Sequence, residues 1–145
     1  MKWVYNDGGR ADAGYKGKTG DCVCRAIAIV TEQPYQTVYD TLNEVKGSLR
    51  QTKRIRKSHS RKGVNRRIYE RYLKTLGWVW TPTMHIGQGC KVHLRPEELP
   101  SGRIIARVSH HLVAVIDGVA HDNHDPTREG DRCVYGYYSK EGAEQ

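Results

Sequence analysis

Three features of this 145-residue chain bring reactive side chains into one order. Cys22 stands directly before an apolar run, Val23-Cys24-Arg25-Ala26-Ile27-Ala28-Ile29-Val30, which predicts a buried helix starting at the cysteine. His111 opens His-Leu-Val-Ala-Val-Ile, a run apolar enough to be a strand buried on both faces. Two acids, Asp122 and Asp125, follow the hairpin after that strand. A thiol attacks an acyl carbon only as thiolate, and a helix N-terminus favours the anion through its partial positive charge and free N–H groups. An imidazole beside it can take the thiol proton and later give it to a leaving group. A carboxylate behind the ring fixes the tautomer. Cys24, two positions along the helix, points elsewhere and reads as core.

The hairpin supplies a test of reach. Asp117-Gly118 is the strongest tight-turn pair in the chain, because a primed turn needs positive φ at both positions. With those two as turn residues, paired positions sum to 235, so Val113 faces Asp122. Asp122 then shares the face of His111, offset diagonally by ~7–8 Å at the backbone. Asp125 points to the opposite face unless a one-residue bulge intervenes. Both acids stay candidates for orienting His111.

The elements that must position these groups are legible in coarse form. Residues 1–20 read as a short strand or extended arm and a loop, with Thr19-Gly20-Asp21 offering capping residues before Cys22. Pro34 suits a first helical turn, and Tyr35, Val38, Tyr39, Leu42 and Val45 follow one helix face. Residues 50–63 lack apolar periodicity and predict an exposed basic loop. Val64 to Leu76 predicts a third helix, stopped by Gly77. Strand patterns follow at 78–82, 103–109, 111–116, 119–122 and 133–138. Helices first and antiparallel strands second predict a single α+β domain spanning 1–145. No fixed period or heptad run supports a repeat array or coiled coil.

On these residues a resemblance can be stated. Gly20-Asp21-Cys22-Val23-Cys24-Arg25-Ala26 ahead of a helix, then His111 to Gly118, then Asp125-Pro126-Thr127, resembles the papain-like cysteine hydrolase superfamily. Within it, the double-glycine leader peptidases and the transglutaminase-like domains are the nearest branches. The chain is also similar to small proteins encoded by bacteria and their phages. The resemblance implies a papain-like fold, Cys22 as nucleophile, His111 as general base and acid, Asp122 or Asp125 as orienter, and a peptide or protein substrate without a cofactor. In one respect the sequence departs from that family. Papain-like peptidases usually carry a Gln a few residues before the nucleophile as an oxyanion donor. Residues 14–19 contain none, leaving Lys16, Lys18 or Thr19 as substitutes; one such donor is typically worth ~10²–10³ in rate.

Charge suggests a second kind of partner. From Lys46 to Lys74 there are twelve basic residues and one acid, Glu70, a local balance of +11 in a chain of formal charge +8. Lys53, Arg54, Arg56, Lys57, Arg61, Lys62, Arg67 and Arg71 are therefore candidate contacts for nucleic acid or an acidic partner, in a binding protein or as an adjunct to the hydrolase. No aromatic lies between Arg50 and Lys62 to stack on a base. The His and acid residues at 110–125 could ligate zinc, with Cys90 or Cys133 joining, but no C-x-x-C or H-E-x-x-H pair accompanies them, so no metal is expected. No uncharged run approaches the ~20 residues of a membrane helix. With no signal-peptide core at the N-terminus, a cytoplasmic protein with four reduced thiols is expected.

Overall fold

The computed structural model describes residues 1–17 and 20–142 and is an α+β fold, its four helices preceding five of its six strands. β1 (Trp3–Tyr5) comes first, followed by α1 (Cys22–Thr31), α2 (Tyr35–Ser48), α3 (Lys53–Lys57) and α4 (Arg66–Thr75). The remaining strands are β2 (Trp78–Pro82), β3 (Arg103–Val108), β4 (His111–Ile116), β5 (Val119–Asp122) and β6 (Gly136–Lys140). They form one sheet in the order β1-β5-β4-β3-β6-β2.

The sheet is mixed rather than wholly antiparallel. β1 pairs parallel to β5, with Trp3 opposite Ala120 and Tyr5 opposite Asp122. The turn at Asp117 (φ 48°) and Gly118 (φ 78°) sets the β4–β5 register at Ala114↔His121 and Ile116↔Val119, the register the sequence predicts. A second two-residue turn, Ser109-His110, joins Val108 to His111 and leaves His111 at the rim of the sheet.

Both faces of β4 are buried, which explains its unbroken apolar run. Leu112 and Ala114, with Ile105 and Tyr138, face the helices. Val113 and Val115, with Ile104 and Ala106, face an irregular segment that buries Leu94 and Val134 completely. Each such aliphatic side chain contributes about 1.5–3 kcal/mol on burial. α1 is buried nearly all round, from Val23 to Val30, and packs against β4. This contact brings the start of α1 and the start of β4 into one neighbourhood.

Two expectations need correction here. Residues 50–63 are not a featureless exposed loop. Thr52 caps α3 by accepting from the Ile55 N–H, and Ile55 is buried in the helical core as a single apolar anchor. Farther on, Ser60 is fully buried and donates to the Tyr39 carbonyl at 2.7 Å. A lone Ile in a cationic run has no periodicity to detect, which is why the pattern read as solvated. The thiols are not all reduced either. Cys90 and Cys133 form a disulfide, with Cα atoms 6.0 Å apart, because the bridge His93↔Cys133 draws the two irregular segments together. Cys22 and Cys24 are free. The cytoplasmic expectation loses the support it drew from reduced thiols. No helix among the described residues is long and apolar enough to cross a membrane.

Candidate active site

Cys22 is the first residue of α1, and His111 is the first residue of β4. The His111 ring and the Leu112 backbone N–H both lie beside the Cys22 sulfur and favour its anion. On its other side the ring meets Asp122, the last residue of β5, with Nε2 at 2.6 Å from Oδ2. A carboxylate only accepts, so Nε2–H donates and Nδ1 is left for the thiol. The His111 side chain is 10% exposed and that of Asp122 only 2%, so the pair works in a low-dielectric setting with access from one side.

The electrostatics push the two reactive groups toward an ion pair. Burial would raise the Cys22 thiol, but the hydrogen bond and charge of His111, the Leu112 N–H and Arg25 outweigh it and hold the thiol below its ordinary value. Burial would likewise lower His111, but the hydrogen bonds to Asp122 and Cys22 push it up to about 9. Against its own burial, Asp122 is held low by His111, the Asn123 N–H and Arg25. Cys24 shows the opposite outcome. Desolvation and Asp21 drive it up to about 12, so two cysteines two residues apart differ in kind.

Arg25 was the one charge in an apolar helix that sequence reasoning left without a role. It stands three residues after Cys22 and four after Asp21, on the same helix face. Its guanidinium is buried between Asp21, at close contact, and Asp122 Oδ1 at 3.1 Å. Asp21 in turn accepts from the Tyr35 hydroxyl at 2.5 Å. A buried line therefore runs Tyr35, Asp21, Arg25, Asp122, His111, Cys22. Asp21 does not cap α1 as expected, because its carboxylate is spent on Arg25, Tyr35 and Arg10. The spacing of Asp21, Cys22 and Arg25 was the available signal. Its partner Asp122, 97 residues away, was the missing one.

Asp125 is not brought to His111. Its carboxylate accepts from the Thr127 N–H at 2.9 Å and the Thr127 hydroxyl at 2.7 Å, a local turn made by Asp-Pro-Thr. Of the expected oxyanion substitutes, Lys18 and Thr19 lie outside the described residues. Lys16 is exposed, and its carbonyl accepts from Arg10 and Arg61.

The site opens into a cavity of about 710 Å³ that includes Cys22, His111 and Asn123. One wall is the basic segment itself, at Lys62, Gly63 and Val64. Gly20 permits that closeness. Its N–H donates to the Arg61 carbonyl at 2.9 Å, and a Cβ there would stand 2.7 Å from the Lys62 carbonyl oxygen. Of the predicted polyanion contacts, Lys62 lines the cavity, whereas Lys53, Arg54, Arg56 and Lys57 lie exposed on α3 and Arg67 and Arg71 exposed on α4. Arg61 is half-buried and donates to the Lys16 carbonyl at 2.7 Å.

His111, Asp122 and His124 offer ligand atoms within 4.8 Å of one another. Both Asp122 oxygens are already engaged, Oδ2 by His111 and Oδ1 by Arg25 and the Asn123 N–H. The buried guanidinium disfavours a cation at the same carboxylate. Cys90 and Cys133 are bonded to each other and cannot join as thiolates.

Compared with known proteins, the chain matches no family model, no curated protein and no solved structure. What defines it is its own geometry: an α+β fold in which a helix-initiating cysteine stands beside a strand-initiating histidine that is hydrogen-bonded to a buried aspartate.

Proposed function

We propose that the protein is a papain-like cysteine hydrolase, acting as peptidase, amidase or acyl transferase through an acyl-enzyme on Cys22. The observation that carries this reading is the line from Cys22 through His111 to Asp122, with His111 at about 9 and Cys22 below its ordinary value. Both shifts move the pair toward thiolate and imidazolium. The thiolate adds to the acyl carbon, forming a C–S bond, while the carbonyl electron pair moves onto oxygen. The first-turn N–H groups of α1, which Asp21 does not cap, are donors available to that developing charge. Collapse expels the amine or thiol, which takes the proton from His111 Nδ1. Water then attacks the thioester and gives its proton to His111, releasing the acid and the thiolate. Asp122 holds the ring throughout and stabilises its charged form. The test is alkylation by iodoacetamide at pH 7 with residue-level mass spectrometry. Cys22 labels faster than glutathione under the same conditions, and His111→Ala abolishes that preference; Cys24, fully buried, labels slowly in both proteins. A wild-type Cys22 no faster than glutathione contradicts the reading.

A second reading is favoured by α3, whose Lys53, Arg54, Arg56 and Lys57 are all exposed and form no ion pair with a carboxylate among the described residues. In that reading the basic segment binds nucleic acid or an acidic partner, with or without chemistry at Cys22. Four phosphate contacts give a log–log salt slope of about −3.6, so affinity for duplex DNA falls ~10²-fold between 50 and 200 mM salt. Binding that ignores reversal of Arg54, Arg56 and Lys57 to Glu contradicts it.

A further inference from the structure

The walls around Cys22 carry one sign of charge. Among the described residues, neither the Cys22 cavity nor the adjoining cavity of about 410 Å³ has an aspartate or glutamate in its lining. The two cavities share Arg66, Arg107 and Tyr135, so a continuous groove leads from Cys22 past both arginines to an apolar end at Trp80, Pro82 and Ile86. Ile86 is fully exposed there and Met84 partly so, which leaves apolar surface at that end of the groove.

The two arginines are not equivalent. Arg66 lies over the Trp80 ring, 4.8 Å from its centroid, and is paired with Glu70 at 2.6 Å. Arg107 is half-buried and makes no ion pair with a carboxylate among the described residues. It sits on β3 directly opposite Leu112, the neighbour of His111, and on the β6 side it faces Gly136. The strand pairing therefore holds an uncompensated guanidinium one strand away from the reactive pair. A guanidinium takes a carboxylate bidentately, and partial burial strengthens the contact.

We infer that the groove selects an acyl substrate by charge: a peptide carrying an Asp or Glu side chain near the scissile bond, with that carboxylate on Arg107 and an apolar side chain beyond it toward Trp80. This rests on the hydrolase reading, since the occupant must deliver an acyl carbon to Cys22. That requirement also favours a peptide over a nucleic acid, which has no acyl carbon to offer.

The test uses tetrapeptide acyloxymethyl ketones bearing Glu, Gln or Lys at each position in turn, with the second-order rate of Cys22 modification measured on the full chain. At one position Glu exceeds Gln by roughly tenfold or more and Lys is slowest, as expected for a charge-assisted hydrogen bond in a half-buried site. The Glu-to-Gln ratio narrows at high salt. Arg107→Gln collapses the ratio, whereas Lys140→Gln, exposed at the end of β6, leaves it unchanged. Equal Glu and Gln rates at every position, with Cys22 still preferred by iodoacetamide, overturn the charge selection alone. Loss of the iodoacetamide preference in the wild-type protein overturns the hydrolase reading and this inference with it.

Discussion

Arg25→Met tests whether the buried ionic line holds the site together. The substitution keeps most of the apolar stem and removes only the guanidinium. Two buried carboxylates then lose the cation between them: among the described residues, Asp21, 1% exposed, keeps only Arg10 at 3.6 Å as a cationic partner, and Asp122, 2% exposed, keeps only the histidines beside it. Removing one partner of a buried pair costs about 3–5 kcal/mol, because the remaining charges keep their desolvation penalty. At about 2–4 °C per kcal/mol for a chain of this size, Tm falls by roughly 6–20 °C at pH 7. Urea unfolding followed by tryptophan fluorescence supplies the free energy directly. The pH dependence has a definite sign. In the wild-type protein Asp122 is held below its ordinary value, so it contributes stability above the unfolded carboxylate value that is lost as pH falls. In the variant Asp122 loses one of the groups that hold it low, so less of this stability is present at pH 7 and less of it is lost as pH falls. The gap between the two proteins therefore narrows from pH 7 toward pH 4. Adding Asp21→Asn to the variant recovers part of the loss. A loss below about 1 kcal/mol at pH 7, or one independent of pH, refutes the reasoning.

Two further outcomes follow from the same structure. Gly20→Ala forces a Cβ against the Lys62 carbonyl, a backbone atom that cannot swing aside, so it lowers stability by about 1–3 kcal/mol and slows Cys22 modification by the peptide probes; scanning calorimetry and the probe rates check both. Reduction of Cys90–Cys133, which closes a loop across 43 positions, lowers Tm by an amount corresponding to about 4 kcal/mol, measured by thermal melts with and without dithiothreitol.

The hairpin was the most legible part of the fold. A turn pair that demands two positive φ values fixes register, and register fixes which side chains share a face, so Asp122 could be placed beside His111 by arithmetic. Choosing Asp122 over Asp125 needed the hydrogen bonds, because only they reveal that Thr127 already occupies Asp125. The start of α1 at Cys22 was visible in the apolar run behind it. Arg25 was visible as an anomaly, but its meaning depended on a residue in β5. The parallel β1–β5 pairing and the Cys90–Cys133 bond were opaque for a related reason. Each joins segments without a shared local pattern, so neither periodicity nor turn chemistry records it. The α3 helix escaped because one buried Ile55 gives no period.

The most direct measurement is the thiolate titration of Cys22, read from the absorbance near 240 nm as the difference between the wild-type protein and Cys22→Ala. The account predicts a Cys22 thiolate that titrates below the ordinary range of a free cysteine, and an upward displacement of that titration in His111→Ala. A wild-type Cys22 that titrates at or above the ordinary value, unmoved by His111→Ala, contradicts it.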